Sequence, residues 1–262
     1  MTPAHPGKVY FIGAGPGDPE LLTLKGRRLI DAADLILYTG SLVNPKLFAN
    51  VRKGVPVLDS SPLDLGEILE KMLPVLRDGG LVARVHTGDP TIYSAIAEQI
   101  ARLRSEGIDW EIVPGVGSVG ASAAVLGAEL TIPEITQTLI LTRVEGRTPV
   151  PERENLRTLA AHQATMAFFL SAGQVADLVS ELTAGGYPPE TPVGVVYRAT
   201  WEDQTVVRGT LADIAQKMSA AGISKHAMIL VGAALGDIGE LGQHRSKLYD
   251  ESFTHGYRRA RT

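Results

Sequence analysis

Two Gly-Asp-Pro triplets stand behind short apolar runs in this chain. Gly17-Asp18-Pro19 lies in VYFIGAGPGDPELLTLKG, and Gly88-Asp89-Pro90 lies in RVHTGDPTIYSAIAE. A third glycine-rich stretch, PGVGS, with Gly115, Gly117 and Ser118, follows WEIV. Val9, Tyr10, Phe11 and Ile12, before the first set, are β-branched or aromatic, as strands are; LVARV and WEIV, before the other two, also read as strands, and the first two stretches continue into helical spacing. A glycine-rich turn between a strand and a helix lets a ligand approach the main chain. In an open α/β sheet, ligands sit beyond the carboxyl ends of the strands. Three such loops imply one ligand lying across all of them. The carboxylates of Asp18 and Asp89 favour a ligand with hydroxyls or positive charge over one made of phosphates.

The dinucleotide fingerprint G-x-G-x-x-G is the main competitor for the first loop. Asp18 stands where its third glycine belongs, and a carboxylate there competes with pyrophosphate for the helix amides. DLILYTG ends in Tyr38, Thr39 and Gly40, with no acid to hold a ribose. A nicotinamide-dependent oxidoreductase is therefore the alternative class, not the main reading. VGSVG around Ser118 resembles a nucleophile elbow but has Val116 in place of the first glycine. The six histidines are scattered without metal-ligand spacing, and no metal is expected.

The elements that must position these loops can be read from the same 262 residues. The composition is that of a globular chain, 44% apolar and 21% charged, and a net charge of −4 argues against a nucleic-acid partner. Cysteine is absent, which excludes disulfides and thiolate chemistry. No leader and no run long enough for a membrane span is visible, so a cytoplasmic protein with no membrane partner is expected. The first half alternates strand and helix: KVYFIG, LLTLKGRRLIDAA, DLILY, VPVL, LGEILEKMLPVLRDGG, LVARV, and a helix after the HTGDP loop. That rhythm predicts a mostly parallel sheet. In the second half, TPVGVVYRATW and QTVVRGT are close enough to form a hairpin, which predicts a mixed sheet. The expected fold is α/β with two domains, residues 1–128 and 129–242, followed by an extension, 243–262, that holds five Lys or Arg.

VYFIGAGPGDPELLTLKG, TGDPTIYSA and VPGVGS, in this order, resemble the tetrapyrrole methylases, and the resemblance runs from about Lys8 to Gly236. LTRVEGRTPVPE and SKLYDESFTHGYR resemble the subgroup that methylates precorrin-4 at C-11 in corrin biosynthesis. The resemblance implies two α/β domains, S-adenosyl-L-methionine as cofactor in the cleft between them, a precorrin substrate and a homodimer. It implies cofactor contacts at Pro16, Thr87, Gly88, Asp89, Ile92, Gly117, Ser118, Leu170 and Ala199. Methylation of another precorrin carbon is the alternative within the class, and a non-catalytic cofactor- or tetrapyrrole-binding protein is a further reading.

Some uroporphyrinogen methylases carry an aspartate after the tyrosine of the second strand. Tyr38 is followed here by Thr39-Gly40-Ser41, which argues against uroporphyrinogen as substrate and leaves the catalytic base unassigned. A precorrin carries several acetate and propionate groups, so cations must hold it. Arg143 and Arg147 in RVEGR, with Arg84 and Arg198 near the cofactor loops, are the candidates, because arginine pairs bidentately with carboxylates. Surface ion pairing, with Glu145 as one partner, is the plainer reading of RVEGR. His86 and Tyr93 flank the second Gly-Asp-Pro loop and are further candidates to face the substrate, although His86 also reads as a structural histidine.

Overall fold

A computed structural model describes residues 7–244 and 246–260. These residues fall into two compact units. The first covers the chain to Ala121 and takes in Thr200–Glu202; the second holds Ser122–Ala199 and the chain from Asp203 onward.

The first unit is a five-stranded parallel sheet. Its strands are β1 (Lys8–Gly13), β2 (Leu35–Tyr38), β3 (Val57–Asp59), β4 (Leu81–His86) and β5 (Asp109–Val113), in the order β3-β2-β4-β1-β5. The helices between them are α1 (Leu24–Ala32), α2 (Leu65–Arg77) and α3 (Ile96–Ser105). Alternation along the strands gives the sheet two apolar faces. Val9, Phe11, Leu35, Leu37 and Val82 pack with Ile68, Leu69 and Met72 of α2 and Leu103 of α3. Ile12, Ile36, Ala83 and Val85 pack with Ile30 of α1. Parallel strands covered on both faces read as continuous apolar runs, which is why KVYFIG and LVARV were recognisable. Asp64 and Glu67 form a reciprocal capping box at the start of α2, each side chain accepting the other's N–H at 2.9 Å.

The chain between β1 and β2 departs from the expected continuous helix LLTLKGRRLIDAA. Pro19–Leu21 is a short 3-10 turn, and α1 starts only after Thr23, whose hydroxyl accepts the Gly26 N–H at 3.0 Å. A nine-residue helix, α4 (Ser118–Leu126), follows β5 and contains the point where the two units divide.

The second unit is a mixed sheet in the order β6-β7-β10-β8-β9. Its strands are β6 (Leu139–Thr142), β7 (Thr165–Phe168), β8 (Pro192–Tyr197), β9 (Thr205–Thr210) and β10 (Ala227–Val231). Only β6 and β7 run parallel; β10 pairs antiparallel to β7 and β8, and β8 and β9 form the expected hairpin. Helices α5 (Leu156–Ala160), α6 (Val175–Ala184) and α7 (Ile214–Ala220) cover a core that includes Met166, Phe168, Leu178, Val195 and Ile229. A one-turn helix, α8 (Ile238–Leu241), leads into the C-terminal tail.

Candidate active site

Three neighbouring strands of the first sheet, β4, β1 and β5, end in the three glycine-rich loops. The loops interlock through main chain. Gly15 and Gly88 exchange hydrogen bonds, N–H to O at 3.3 Å and 2.9 Å. The Ala14 N–H donates to His86 O at 2.7 Å. A Cβ on Gly13 would lie 2.6 Å from both Gly115 Cα and Gly88 O; one on Gly115 would lie 2.2 Å from Gly88 O. Only glycine fits at these crossings. Gly117 is different: a Cβ there would meet nothing within 4 Å, so the third loop keeps open space beside it.

The two Gly-Asp-Pro triplets share a local geometry. Asp18 Oδ1 accepts the Glu20 N–H at 2.9 Å, and Asp89 Oδ1 accepts the Thr91 N–H at 2.8 Å. Each aspartate thus turns the chain around the proline that follows it. Asp89 also reaches across: its Oδ2 accepts the Gly115 N–H at 2.9 Å. Burial pushes the Asp89 carboxyl up, but hydrogen bonds from Thr91 and Gly115 outweigh it and hold the group below its ordinary range. Asp89 is therefore a clamp between the second and third loops.

The first loop is braced by residues far along the chain. Trp201 Nε1 donates to Pro16 O at 2.9 Å, and its ring lies where a Cβ on Gly17 would be. The Asp18 N–H donates to Thr200 Oγ1 at 2.9 Å, and Asn44 Nδ2 donates to Gly17 O at 2.8 Å. The Thr87 N–H donates to Thr39 Oγ1 at 3.3 Å. Sequence reasoning missed Trp201, Thr200, Asn44 and Thr39. No periodicity flags them; a tryptophan in the turn between two strands, beside Glu202 and Asp203, was the one available hint.

After the second loop, Ile92 closes the turn through its N–H to Asp89 O at 3.4 Å. Tyr93 and Ala95 then adopt left-handed backbone, φ 54° and 48°, and α3 begins only at Ile96. Non-glycine residues held there cost on the order of 1–3 kcal/mol each and cluster at functional sites. Tyr93 is half exposed beside this strained turn.

Arg84 and His86 share the face of β4 that packs under α3, and both are buried. Arg84 donates to Gln99 Oε1 at 3.0 Å and to Leu37 O at 3.3 Å, and burial lowers its pKa to about 10. Its guanidinium is inside the unit, beneath the strand end, and not presented to a ligand there. His86 lies 5.9 Å from the Phe11 ring. Burial, reinforced by the Arg84 charge, lowers its pKa to about 3, so the imidazole is neutral; its Nε2 is buried without a partner.

The remaining candidates belong to the second unit. Leu170 follows β7 with φ 55° and is 76% exposed, an apolar side chain held out by strained backbone. The next residue, Ser171, is fully buried and accepts the Val144 N–H at 2.8 Å, which ties the ends of β6 and β7 together. Ala199 is buried beside Arg198, whose φ is 45°. Arg198 pairs with Asp203 at 2.5 Å. Arg143 donates to the carbonyls of Thr148 at 3.0 Å and Pro149 at 2.8 Å, and so organises the loop that ends β6. Arg143 is the first residue after β6, which ends at Thr142. Arg147 is exposed, and Glu145 does not pair with Arg143.

The loops 13–18, 87–92 and 114–118 contain no Lys or Arg. A shelf of main-chain donors and acceptors, with two satisfied carboxylates and no cation, suits a zwitterionic or cationic ligand better than a pyrophosphate. Residues 8–215 match the family model of the tetrapyrrole (corrin/porphyrin) methylases. The chain belongs to this family. Among its relatives is the cobalt-precorrin-4 C(11)-methyltransferase of Methanocaldococcus jannaschii, 52% identical over 97% of this chain and 96% of that protein. The precorrin-4 C(11)-methyltransferase of Pseudomonas aeruginosa is 50% identical over 95% of this chain and 98% of that protein. A solved cobalt precorrin-4 methyltransferase superposes with a TM-score of 0.86 at 52% identity, covering 88% of this chain and 96% of the other. The expected parallel first sheet and mixed second sheet of a tetrapyrrole methylase are both present. Among the described residues no helix is long and apolar enough to cross a membrane.

Proposed function

We propose that this chain transfers the methyl group of S-adenosyl-L-methionine to C-11 of precorrin-4, free or as its cobalt complex, in corrin-ring assembly. The observation that carries the reading is near-full-length identity of about half to two enzymes of that specificity. The cation-free shelf supports the cofactor half of it. For a nicotinamide cofactor, the three loops offer no cation to the phosphates and the end of β2, Tyr38-Thr39-Gly40, offers no acid to the ribose.

When bound, the cofactor supplies an electrophilic methyl on a sulfonium. That methyl would be the group passed to a nucleophilic ring carbon of the macrocycle. The protein's part is alignment, which supplies on the order of 7–11 kcal/mol in well-oriented reactions. Pro16, Thr87, Gly88, Asp89, Ile92, Gly117 and Ser118 are the proposed cofactor residues of the first unit. In this role Asp89 acts through the loops that it joins. The same resemblance carries Leu170 and Ala199, of the second unit, into the proposal. Of the substrate candidates, Tyr93 and Arg147 are exposed and are retained. Arg84, Arg143, Arg198 and His86 are engaged or buried within their own units and serve as scaffold. A homodimer in the cytoplasm is proposed from the resemblance.

Calorimetric titration with S-adenosylhomocysteine, with NAD and NADP as controls, tests the cofactor. Methyl transfer to precorrin-4 and to cobalt-precorrin-4 tests the substrate. Binding of NAD in place of S-adenosylhomocysteine would overturn the reading. Light scattering of the eluting protein reports the oligomer.

A further inference from the structure

The substrate is a polyanion, and most of this chain repels it. The net charge is −4, and residues 243–262 contribute +3 to it, from five basic side chains against two acidic ones; the remainder is therefore −7. The arginines first expected to offset this are largely engaged elsewhere: Arg84 in the core, Arg143 on its own loop and Arg198 with Asp203.

The described part of the tail, 246–260, is closed on itself. Ser246 caps the turn Lys247–Tyr249, and Asp250 Oδ1 accepts the Ser252 N–H at 2.9 Å. Arg258 Nη2 donates to Leu248 O at 2.8 Å and also to Asp250 O. His255 and Arg258 exchange main-chain hydrogen bonds at 2.8 Å and 3.1 Å. This frame holds three rings at alternate positions. The Phe253 and His255 centroids are 6.5 Å apart, as are those of His255 and Tyr257. A ring series normally packs into a core, yet Tyr257 is 100% exposed and Phe253 40%. Lys247 and Arg259 are exposed on the same short segment.

We propose that Phe253, His255 and Tyr257, with Lys247 and Arg259, form a docking surface for the polycarboxylated macrocycle. The inference rests on the methyltransferase reading above. Exposed rings stack on a broad conjugated face, as they do on nucleobases, and cations beside them pair with peripheral carboxylates. Aromatic surface and exposed cations coincide on one folded strap, 246–260, whose own charge is +1 in an otherwise acidic chain, and this complementarity selects a flat polyacid as the occupant.

The test uses the full-length protein. The variants are Phe253→Ala/Tyr257→Ala and Arg259→Glu, all at exposed positions. Uroporphyrin III, a stable octacarboxylate porphyrin, is titrated by fluorescence quenching, and KM for precorrin-4 is measured beside it. Each variant is expected to weaken uroporphyrin binding and to raise KM about tenfold, the loss of one good contact, with kcat kept. S-adenosylhomocysteine affinity is expected to stay at the parent value. Unchanged uroporphyrin affinity and KM in active variants would overturn the docking surface while leaving the methyltransferase reading intact. A parallel loss of S-adenosylhomocysteine affinity would overturn it too, by showing general damage. Oligonucleotide binding that Arg259→Glu abolishes, with uroporphyrin binding unaffected, would reassign the strap to nucleic acid. If the parent protein binds no S-adenosylhomocysteine, the methyltransferase reading fails, and the uroporphyrin titration still decides the strap.

Discussion

Asp89 Oδ2 accepts the main-chain N–H of Gly115 at 2.9 Å and so joins the loop after β4 to the loop after β5. The link spans two loops whose strands flank β1 in the sheet, and it uses a carboxylate that the sequence alone offers to a ligand.

Replacing Asp89 by alanine removes this clamp and the Thr91 turn together. A hydrogen bond to a charged group is worth about 1.5–3 kcal/mol, and a loss of that order in unfolding free energy is expected at pH 7. S-adenosylhomocysteine binding should weaken with it. The folded carboxyl titrates below its unfolded value, so its contribution is full above about pH 4 and is lost as pH falls through the folded pKa. Denaturant unfolding of parent and Asp89→Ala at pH 7 and pH 3 checks the sign. A folded variant with parental cofactor affinity would remove Asp89 from the cofactor site.

Gly115→Ala places a methyl 2.2 Å from Gly88 O and 2.8 Å from Gly13 Cα, and all of these atoms are backbone. No side chain can rotate away, so the loops must separate. The expected cost is on the order of 1–3 kcal/mol, with loss of S-adenosylhomocysteine binding. Gly117→Ala, which meets nothing within 4 Å, should leave stability near the parent value. Equal stability of the two variants would contradict the interlocked arrangement.

His86 makes stability depend on pH in a range that begins above that of the carboxylates. Unfolded, its imidazole takes a proton near pH 6.5; folded, burial and then Arg84 hold that off to about 3. The unfolded state therefore binds more protons between these values. Stability is full above about pH 6.5 and falls by about 1.4 kcal/mol per unit as pH drops toward 3. From pH 7 to pH 5 the loss is about 2 kcal/mol. His86→Phe keeps a ring beside Phe11 and removes the proton, so its unfolding free energy should change less over that interval. Identical pH profiles would place the imidazole in contact with water.

Trp201→Phe keeps a ring over Gly17 but loses the 2.9 Å bond to Pro16 O. A cost of about 1 kcal/mol is expected, with weaker S-adenosylhomocysteine binding; Trp201→Ala should cost more, because the ring itself is lost. Hydrogen exchange at the amides of residues 15–18 gives the local readout, and unchanged protection in the alanine variant would show that the loop holds its shape alone.

Much of this site was legible in the sequence because main-chain geometry demands particular residues. Glycines at 13, 15, 88 and 115 mark strand ends where loops cross at van der Waals distance, and the apolar runs before them mark parallel strands. Side-chain roles were less legible. Asp18 and Asp89 look like ligand carboxylates but satisfy local N–H groups, and the offset of two residues that reveals this is shared with any turn. Arg143 looks like an anchor for acids until its carbonyl partners are seen. Arg84 sits on a strand whose alternation points it under α3, and a buried arginine has no signature in a strand pattern. Trp201 lies 185 residues from Pro16, beyond the reach of any local rule.

The first unit takes Thr200–Glu202 from the far half of the chain, and this sets an order on its birth. A ribosome that has just finished Ala121 has made the whole parallel sheet but not the tryptophan that closes over Gly17. At about 5–20 residues per second, the loop waits roughly 4–16 seconds for it. A nascent chain thus reaches its full ligand-holding shape only after most of the second sheet has been synthesised. A gene cut at the point where the two units divide would encode a first half that lacks its own clasp.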